Sequence, residues 1–197
     1  MLYPNLDSKR IILASKSPRR LELVRGLEIE PEVILKDVDE SYPPSLSGVE
    51  VAKYVTMAKA SAFYPMMETE DVVITGDTIV LLDSEILEKP ANADEAANML
   101  RKLSGKTHVV ASGIAVTTLR EGKPVTLCEV DTCQVTFEAL TEALIAHYIA
   151  TYNPFDKAGS YGVQDLIGFI GVSSIQGSFY TVMGLPVHLL HKMLQEI

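Results

Sequence analysis

The chain has 197 residues, of which 47% are hydrophobic, and a formal net charge of −9. This length suits one domain with a substantial buried core, so we predict a single domain over residues 1–197. The negative charge opposes non-specific binding of nucleic acid, and no apolar run approaches the roughly 20 residues of a membrane span. We therefore expect a cytoplasmic protein with neither nucleic acid nor a membrane as partner, in which a local cluster of cations holds any anionic ligand.

Strands and helices alternate along the first half of the chain. The run "RIILAS" predicts a buried strand, and Leu21, Val24 and Leu27 recur at helical spacing after it. The predicted elements up to residue 87 are a strand (10–15), a helix after Ser17, a strand (32–36), a polar loop (37–48), an amphipathic helix (49–63) and an apolar segment (71–87). The apolar segment predicts a buried strand, a short break at 76–78, and a further strand that turns at Asp83-Ser84.

The second half continues the alternation and adds a hairpin. Its predicted elements are a helix (93–105), a β-hairpin (107–137) turning at "REGK", a helix (141–152), a loop (153–162), a short strand in "FIGVSSIQG" and a C-terminal helix opened by Pro186. This order predicts an α/β protein, and the hairpin argues against a purely parallel sheet. We predict a mixed, twisted sheet flanked by helices.

Two arginines follow the Ser17-Pro18 step at the start of the first helix. Ser17 is a suitable N-cap and Pro18 suits the first helical position. Arg19 and Arg20 then lie in the first turn, where the helix dipole disfavours cations unless an anion is bound there. The segment predicts either a phosphate site or an ordinary helix start with exposed arginines.

Asp77 interrupts an apolar run in "TGDTIV". We expect it at the end of a buried strand, facing a cleft, where it activates water or holds a divalent cation. An aspartate that bonds its own backbone in a turn is the alternative. Asp39 and Glu40, in the acidic loop, are candidate second partners for a metal.

The segment "DKAGSYGVQ" (156–164) combines two glycines with Lys157 and Gln164, which suits a backbone that approaches a ligand closely. The sequence contains no GxxxxGK[ST], GxGxxG or GxSxG motif, and its four histidines lack zinc spacing. The common nucleotide-binding folds, zinc hydrolases and serine hydrolases are therefore not indicated by motif.

Six short motifs occur in the order "LASKSPRR", "GDTIV", "EKP", "LSGKTH", "DKAGSYGVQ" and "GSFYTVMGLP". In this order they closely resemble the Maf family of nucleotide pyrophosphatases, also described as septum-formation inhibitors, over nearly the whole chain. The resemblance implies two lobes around a deep cleft. It also implies hydrolysis of a nucleoside triphosphate between its α and β phosphorus atoms, with Mg²⁺ or Mn²⁺ as cofactor, and it favours the phosphate site at the first helix.

The resemblance also implies roles for particular residues. Asp77 matches the proposed general base, and Glu40 with Asp77 matches the metal-binding acids. The phosphate-binding set is Ser15, Arg20, Lys59, Lys89 and Lys157, together with Arg19 at the same helix start. Arg19, Thr78 and Gln164 match the subgroup that acts on dTTP and UTP, whereas the subgroup acting on 7-methyl-GTP often carries Glu in place of Gln164.

Four positions depart from the usual family pattern: Gly76, Glu88, Asn153 and Thr181. Glu88 places a carboxylate beside Lys89, which weakens the assignment of that lysine to phosphate. We expect a dTTP/UTP pyrophosphatase, with a homodimer plausible. The alternatives are a pyrophosphatase for modified purine nucleotides, a nucleotide-binding regulator of cell division with incidental hydrolysis, and a general phosphatase that releases orthophosphate.

Overall fold

The computed structural model describes residues 2–197, in which strands and helices alternate as predicted. The strands are β1 (Arg10–Leu13), β2 (Glu32–Val33), β3 (Asp71–Leu82), β4 (Glu85–Leu87), β5 (Thr107–Arg120), β6 (Lys123–Phe137) and β7 (Val172–Gln176). The α-helices are α1 (Pro18–Arg25), α2 (Val49–Phe63), α3 (Ala93–Leu103), α4 (Glu142–Tyr152), α5 (Leu166–Gly171), α6 (Phe179–Met183) and α7 (Val187–Glu196).

The strands form one mixed sheet in the order β2-β1-β3-β5-β6-β7, with β4 paired to β3. Both neighbours of β1, namely β2 and β3, run parallel to it, whereas β4 is antiparallel to β3 and β7 is antiparallel to β6. Parallel pairs need a crossover connection, which α1 and α2 occupy, while β5 and β6 are joined directly as the predicted hairpin. The predicted α/β class with a mixed sheet is confirmed.

The predicted break at 76–78 is wrong, because β3 is a continuous strand of twelve residues that passes through Gly76, Asp77 and Thr78. Gly and Asp have low strand propensity, but β3 is also paired with β5, and Gly76 lies against Gly113 of that strand beyond the last β1 pair at Ile74. Gly76 is also a point of close approach, since a Cβ there would lie 2.8 Å from the carbonyl oxygen of Gly113 on β5.

Three smaller differences concern short elements. The second strand covers two residues instead of five, and a helix (α5) replaces the start of the predicted strand in "FIGVSSIQG". The helix α6 was not predicted at all. Each of these elements is six residues or shorter, so its periodicity is too brief to separate helix, strand and loop.

The chain divides into two compact units, and β3, β5 and β6 each run from one into the other. The first unit comprises the chain up to Asp77, Ser112–Asp131 and Gly184–Ile197, and the second comprises Thr78–Ala111 and Thr132–Met183. None of the helices formed by residues 2–197 combines the length and apolar character that a bilayer crossing requires.

Candidate functional site

In the first unit, Asp77 lies beyond the carboxyl end of the neighbouring strand. The last residue of β1, Leu13, pairs with Ile74, and β3 continues past that point through Thr75 and Gly76 to Asp77. The prediction that Asp77 ends its own strand is wrong, because the strand that ends here is β1. The expected position nevertheless arises, since the carboxyl edge of parallel strands is where open α/β sheets bind ligands.

Asp77 and Glu40 share one lysine ammonium. The Nζ of Lys59 donates to Oδ1 of Asp77 at 2.8 Å and lies 3.0 Å from Oε1 of Glu40. The side chains of Lys59 and Asp77 are only 14% and 13% exposed, whereas that of Glu40 is 50% exposed. The structure thus brings together three residues that are 19 and 18 positions apart in sequence, in the order Glu40, Lys59 and Asp77.

Close packing of α2 on the sheet sets the position of Lys59. A Cβ on Gly113 would lie 2.3 Å from Oγ1 of Thr56 and 2.8 Å from the carbonyl oxygen of Ala52, so α2 crosses this point of β5 nearly in contact with its backbone. The Oγ1 of Thr75 on β3 donates to the carbonyl oxygen of Thr56 at 3.2 Å. Because Lys59 follows Thr56 by nearly one helical turn, these contacts direct it toward Asp77. The sequence did not indicate Gly113 or Thr56, since a glycine in a strand carries no sign of its packing partner.

Ser15 and Arg20 form the second part of the first-unit site. Ser17 caps α1 as predicted, because its Oγ accepts from the backbone N–H of Arg20 at 3.4 Å. The Arg20 guanidinium donates through Nη1 to Oγ of Ser15 at 3.3 Å and through Nε to the carbonyl oxygen of Gly184 at 2.8 Å. These bonds fix the direction of the side chain.

The charge of Arg20 is coupled to the acids of the site. Burial lowers the pKa of its guanidinium below the ordinary value, Asp77 and Glu40 act to raise it, and Arg19 acts to lower it. Arginine remains protonated in proteins, so the cation here depends on nearby carboxylates for compensation. Arg19 is half-buried in the same helical turn. A bound polyphosphate would supply the further negative charge that this pair of arginines favours.

The acids of the first unit match one type of metal site. Within residues 2–197, no group of three or more His, Cys, Asp or Glu side chains lies close enough to hold a metal ion by itself. Mg²⁺, however, commonly binds through one or two carboxylates together with substrate phosphates and water. Glu40 and Asp77, whose carboxylates both lie within 3.0 Å of the Lys59 ammonium, fit such a site as its two protein ligands.

In the second unit, Lys157 lies among carboxylates. Its Nζ donates to Oδ1 of Asp156 at 2.8 Å and lies 4.0 Å from Oδ2 of Asp165, and its side chain is 11% exposed. Oδ2 of Asp165 also accepts from the hydroxyl of Tyr148 at 2.9 Å. Neither Asp165 nor Tyr148 was predicted from the sequence. Asp165 directly follows the quoted motif, but Tyr148 lies on α4 and gave no signal.

Gln164 is half-buried, and its Oε1 has no exposed surface and no hydrogen-bond partner within residues 2–197. Thr78 is half-buried in β3, directly after Asp77. In the second unit, Gln164 therefore offers a side-chain amide whose carbonyl oxygen is held away from solvent.

Lys89 is exposed and follows Glu88, whose carbonyl oxygen accepts from the N–H of Gly159 at 3.2 Å. This bond joins the "EKP" step to the loop that carries Lys157. Gly159 has a positive φ of 66°, and a Cβ there would lie 3.0 Å from Val80, so glycine is required for this approach.

Two of the four departures from the family pattern have a structural explanation. Asn153 ends α4 in the left-handed region with φ 45°, a conformation that asparagine tolerates better than most residues. Gly76 fits the close approach of β5 described above. Thr181 is fully buried in α6, and nothing in its surroundings explains the choice of threonine over asparagine.

Known proteins resemble this chain over nearly its whole length. A family model described as "Maf-like protein" matches residues 10–197. A protein of Bacteroides thetaiotaomicron named dTTP/UTP pyrophosphatase is 47% identical over 194 residues, which cover 98% of each chain. A protein of the same name from Bacteroides fragilis strain YCH46 is 47% identical over 100% of both chains.

Among solved structures, the Staphylococcus aureus Ham1 protein has a TM-score of 0.55 and 16% sequence identity, covering 95% of this chain and 99% of its own. At that identity the likeness concerns the fold alone. The family model and the two close relatives carry the stronger conclusion, and they confirm the resemblance drawn from the motifs: the chain belongs to the Maf family.

Proposed function

We propose that this protein is a nucleoside triphosphate pyrophosphatase that hydrolyses dTTP and UTP to the monophosphate and pyrophosphate. The relatives that are 47% identical over essentially the full chain carry that name. The observation in this chain that supports the proposal best is the Lys59 ammonium shared by Asp77 and Glu40. A carboxylate held beside cations at the carboxyl edge of parallel strands suits hydrolysis of a polyphosphate.

The cations of the first unit bind the phosphates in this proposal. The helix start at Ser17 offers backbone N–H groups, and the guanidinium groups of Arg19 and Arg20 add donors of fixed geometry. Ser15 orients Arg20 through its hydroxyl. Lys59 carries the charge that partly neutralises the reacting phosphate, while in the second unit Lys157 and Lys89 are further candidates for phosphate binding.

Asp77 is the general base. Its Oδ1 is bonded to Lys59, so Oδ2 accepts a proton from water as the water oxygen bonds to one of the two phosphorus atoms. That phosphorus loses its bond to the bridging oxygen, which leaves with the other product. Lys59 holds the carboxylate in one orientation throughout. Glu40 and Asp77 would hold a Mg²⁺ or Mn²⁺ ion, which supplies charge stabilisation to the leaving pyrophosphate when bound.

Arg19, Thr78 and Gln164 are the proposed determinants of specificity for the pyrimidine. A side-chain amide pairs with the edge of thymine or uracil without adding charge, whereas a carboxylate would suit a cationic methylated purine. Because Oε1 of Gln164 is buried, the N–H donors of its amide are the groups that would pair with a carbonyl oxygen of the pyrimidine.

The first test is a nucleotide panel of dTTP, UTP, CTP, GTP, ITP and 7-methyl-GTP with Mg²⁺ or Mn²⁺, in which pyrophosphate and orthophosphate are measured separately. We expect pyrophosphate, mainly from dTTP and UTP. Activity confined to a purine would overturn the proposed specificity. Release of orthophosphate would indicate a general phosphatase. If no nucleotide in the panel is hydrolysed, the proposed enzymatic activity is overturned.

The second test is Asp77→Asn, which keeps the shape of the side chain and removes it both as a base and as a charged metal ligand. We expect kcat for UTP to fall by about 10²- to 10⁴-fold, the usual contribution of a general base. Asp83→Asn is the matched control, because Asp83 is an exposed acid in the turn after β3 and its left-handed conformation tolerates asparagine. Near-normal turnover by Asp77→Asn would rule out the assigned role.

A further inference from the structure

The turn at residues 162–165 is held by one buried hydroxyl. The side chain of Tyr148 on α4 has no exposed surface, and its hydroxyl accepts from the backbone N–H of Gly162 at 2.9 Å. The same hydroxyl donates to Oδ2 of Asp165 at 2.9 Å. The backbone N–H of Asp165 donates to the carbonyl oxygen of Gly162 at 3.0 Å, which closes the turn. We call Tyr148, Gly162 and Asp165 the turn clamp.

Gln164 lies inside the turn clamp with little room. A Cβ on Gly162 would lie 2.5 Å from Oδ2 of Asp165 and 3.0 Å from Nε2 of Gln164, so glycine is needed for the side chains to pack over this backbone. Asp165 also lies 4.0 Å from the Nζ of Lys157. The turn clamp thus lies close to two side chains of the second unit, the amide of Gln164 and the ammonium of Lys157.

The amide orientation of Gln164 is not set by hydrogen bonds of its carbonyl oxygen. Its Oε1 is buried without a hydrogen-bond partner in residues 2–197. An unsatisfied buried acceptor costs about 1–3 kcal/mol, so the surrounding packing must hold the side chain in place. Of the turn clamp, Gly162 lies next to the amide, because a Cβ on it would come within 3.0 Å of Nε2 of Gln164.

We propose that Tyr148 and Asp165 are positioning residues that give the enzyme its discrimination between uracil and cytosine. The inference rests on the proposed function, in which Gln164 faces the base. Uracil presents a carbonyl oxygen and an N–H where cytosine presents an amino group and a bare nitrogen. An amide that rotates by half a turn pairs with either pattern, whereas a fixed amide pairs with one of them.

Tyr148→Phe tests this directly, because it removes the hydroxyl and keeps the ring stacked on Tyr152 at 5.0 Å. We expect the ratio of kcat/KM for UTP over CTP to fall by about 10-fold, as expected when a hydrogen-bonding site loses its fixed geometry. Tyr152→Phe is the matched control, because this exposed tyrosine lies on the same helix outside the clamp. It should keep the wild-type ratio.

Asp165 supplies a rescue experiment. Asp165→Ala removes the acceptor for the Tyr148 hydroxyl and should lower the UTP-to-CTP ratio as Tyr148→Phe does. Asp165→Asn keeps an acceptor oxygen and should restore the ratio. It should also lower KM for both nucleotides alike, because Lys157 loses a nearby negative charge. A purely structural role would change the melting temperature and total activity without changing the ratio.

The outcomes separate the two hypotheses. If the wild type does not release pyrophosphate from UTP in preference to CTP, the proposed function fails and the positioning role fails with it. If the wild type discriminates and both Tyr148→Phe and Asp165→Ala discriminate equally well, the positioning role alone is overturned. Should Tyr148→Phe not fold, the contrast between Asp165→Ala and Asp165→Asn decides the question.

Discussion

Acid should destabilise this protein through a histidine of the second unit. His108 is 2% exposed, its Nε2 lies 2.7 Å from the hydroxyl of Tyr161, and its Nδ1 has no hydrogen-bond partner among residues 2–197. The ring centroids of His108 and Phe137 are 5.1 Å apart in a T-shaped arrangement. Burial lowers the pKa of His108 to about 4, and burial raises the pKa of Tyr161 well above its ordinary value. Both groups are therefore neutral in the folded protein at pH 7.

The size of the effect follows from proton binding. In the unfolded chain the pKa of a histidine is about 6.5, so between pH 6.5 and pH 4 the unfolded state binds a proton that the folded state excludes. Stability is then lost as the pH falls through this window. At pH 4 the loss from His108 amounts to about 3 kcal/mol relative to pH 7.

Urea unfolding between pH 7 and pH 4, with wild type and His108→Gln side by side, measures this loss. Glutamine can still bond Tyr161 but does not titrate. Between pH 7 and pH 4 the unfolding free energy of the wild type should therefore fall by about 3 kcal/mol more than that of His108→Gln. His147→Gln, an exposed position on α4, should follow the wild type. Parallel curves for wild type and His108→Gln would refute the argument that His108 is buried and neutral.

Two further substitutions test how α2 is placed. Gly113→Ala should lower the unfolding free energy by about 1–3 kcal/mol and reduce activity, because its methyl would collide with α2. Calorimetry and turnover measurements check this. The control is Gly26→Ala, whose methyl comes no closer than 3.3 Å to a neighbour. Lys59→Met should reduce kcat/KM for UTP by at least about 10-fold and stability by about 1–3 kcal/mol, since two carboxylates lose their shared ammonium. Lys53→Met, exposed on the same helix, should change neither, and a similar result for both lysines would contradict the assigned role.

Sequence periodicity predicted the longer elements well. The bounds of α2 are those that the apolar spacing of 49–63 gave, and the hairpin turns within "REGK". Gly76 and Asp77 show where such reasoning fails. Their low strand propensity indicated a break, but the pairing of β3 with β5, where Gly76 lies against Gly113, outweighs a local preference of at most about 1 kcal/mol per residue.

The candidate site divides in the same way. Asp77 and Glu40 were predicted as acids of an apolar run and of a polar loop, and Lys59 from the family resemblance, and the structure joins both acids to the Lys59 ammonium. Gly113 and Tyr148, which position members of the site, could not have been found. Gly113 acts because it has no side chain. Tyr148 acts through its hydroxyl, and in the sequence it cannot be told from the other buried residues of α4.

The sequence by itself therefore determined the class of the fold, the longer helices and strands, the family and the chemical types in the site, because these depend on local periodicity and on residue identity. Only the tertiary structure decided that Asp77 lies within a continuous strand and that Lys59 bridges two acids. It alone showed that a buried tyrosine hydroxyl bonds both Gly162 and Asp165, the two ends of the turn that contains Gln164. These features arise from contacts between segments that are far apart in the chain. Such contacts contribute free energy only when both segments are in place, so neither segment's local sequence predicts them.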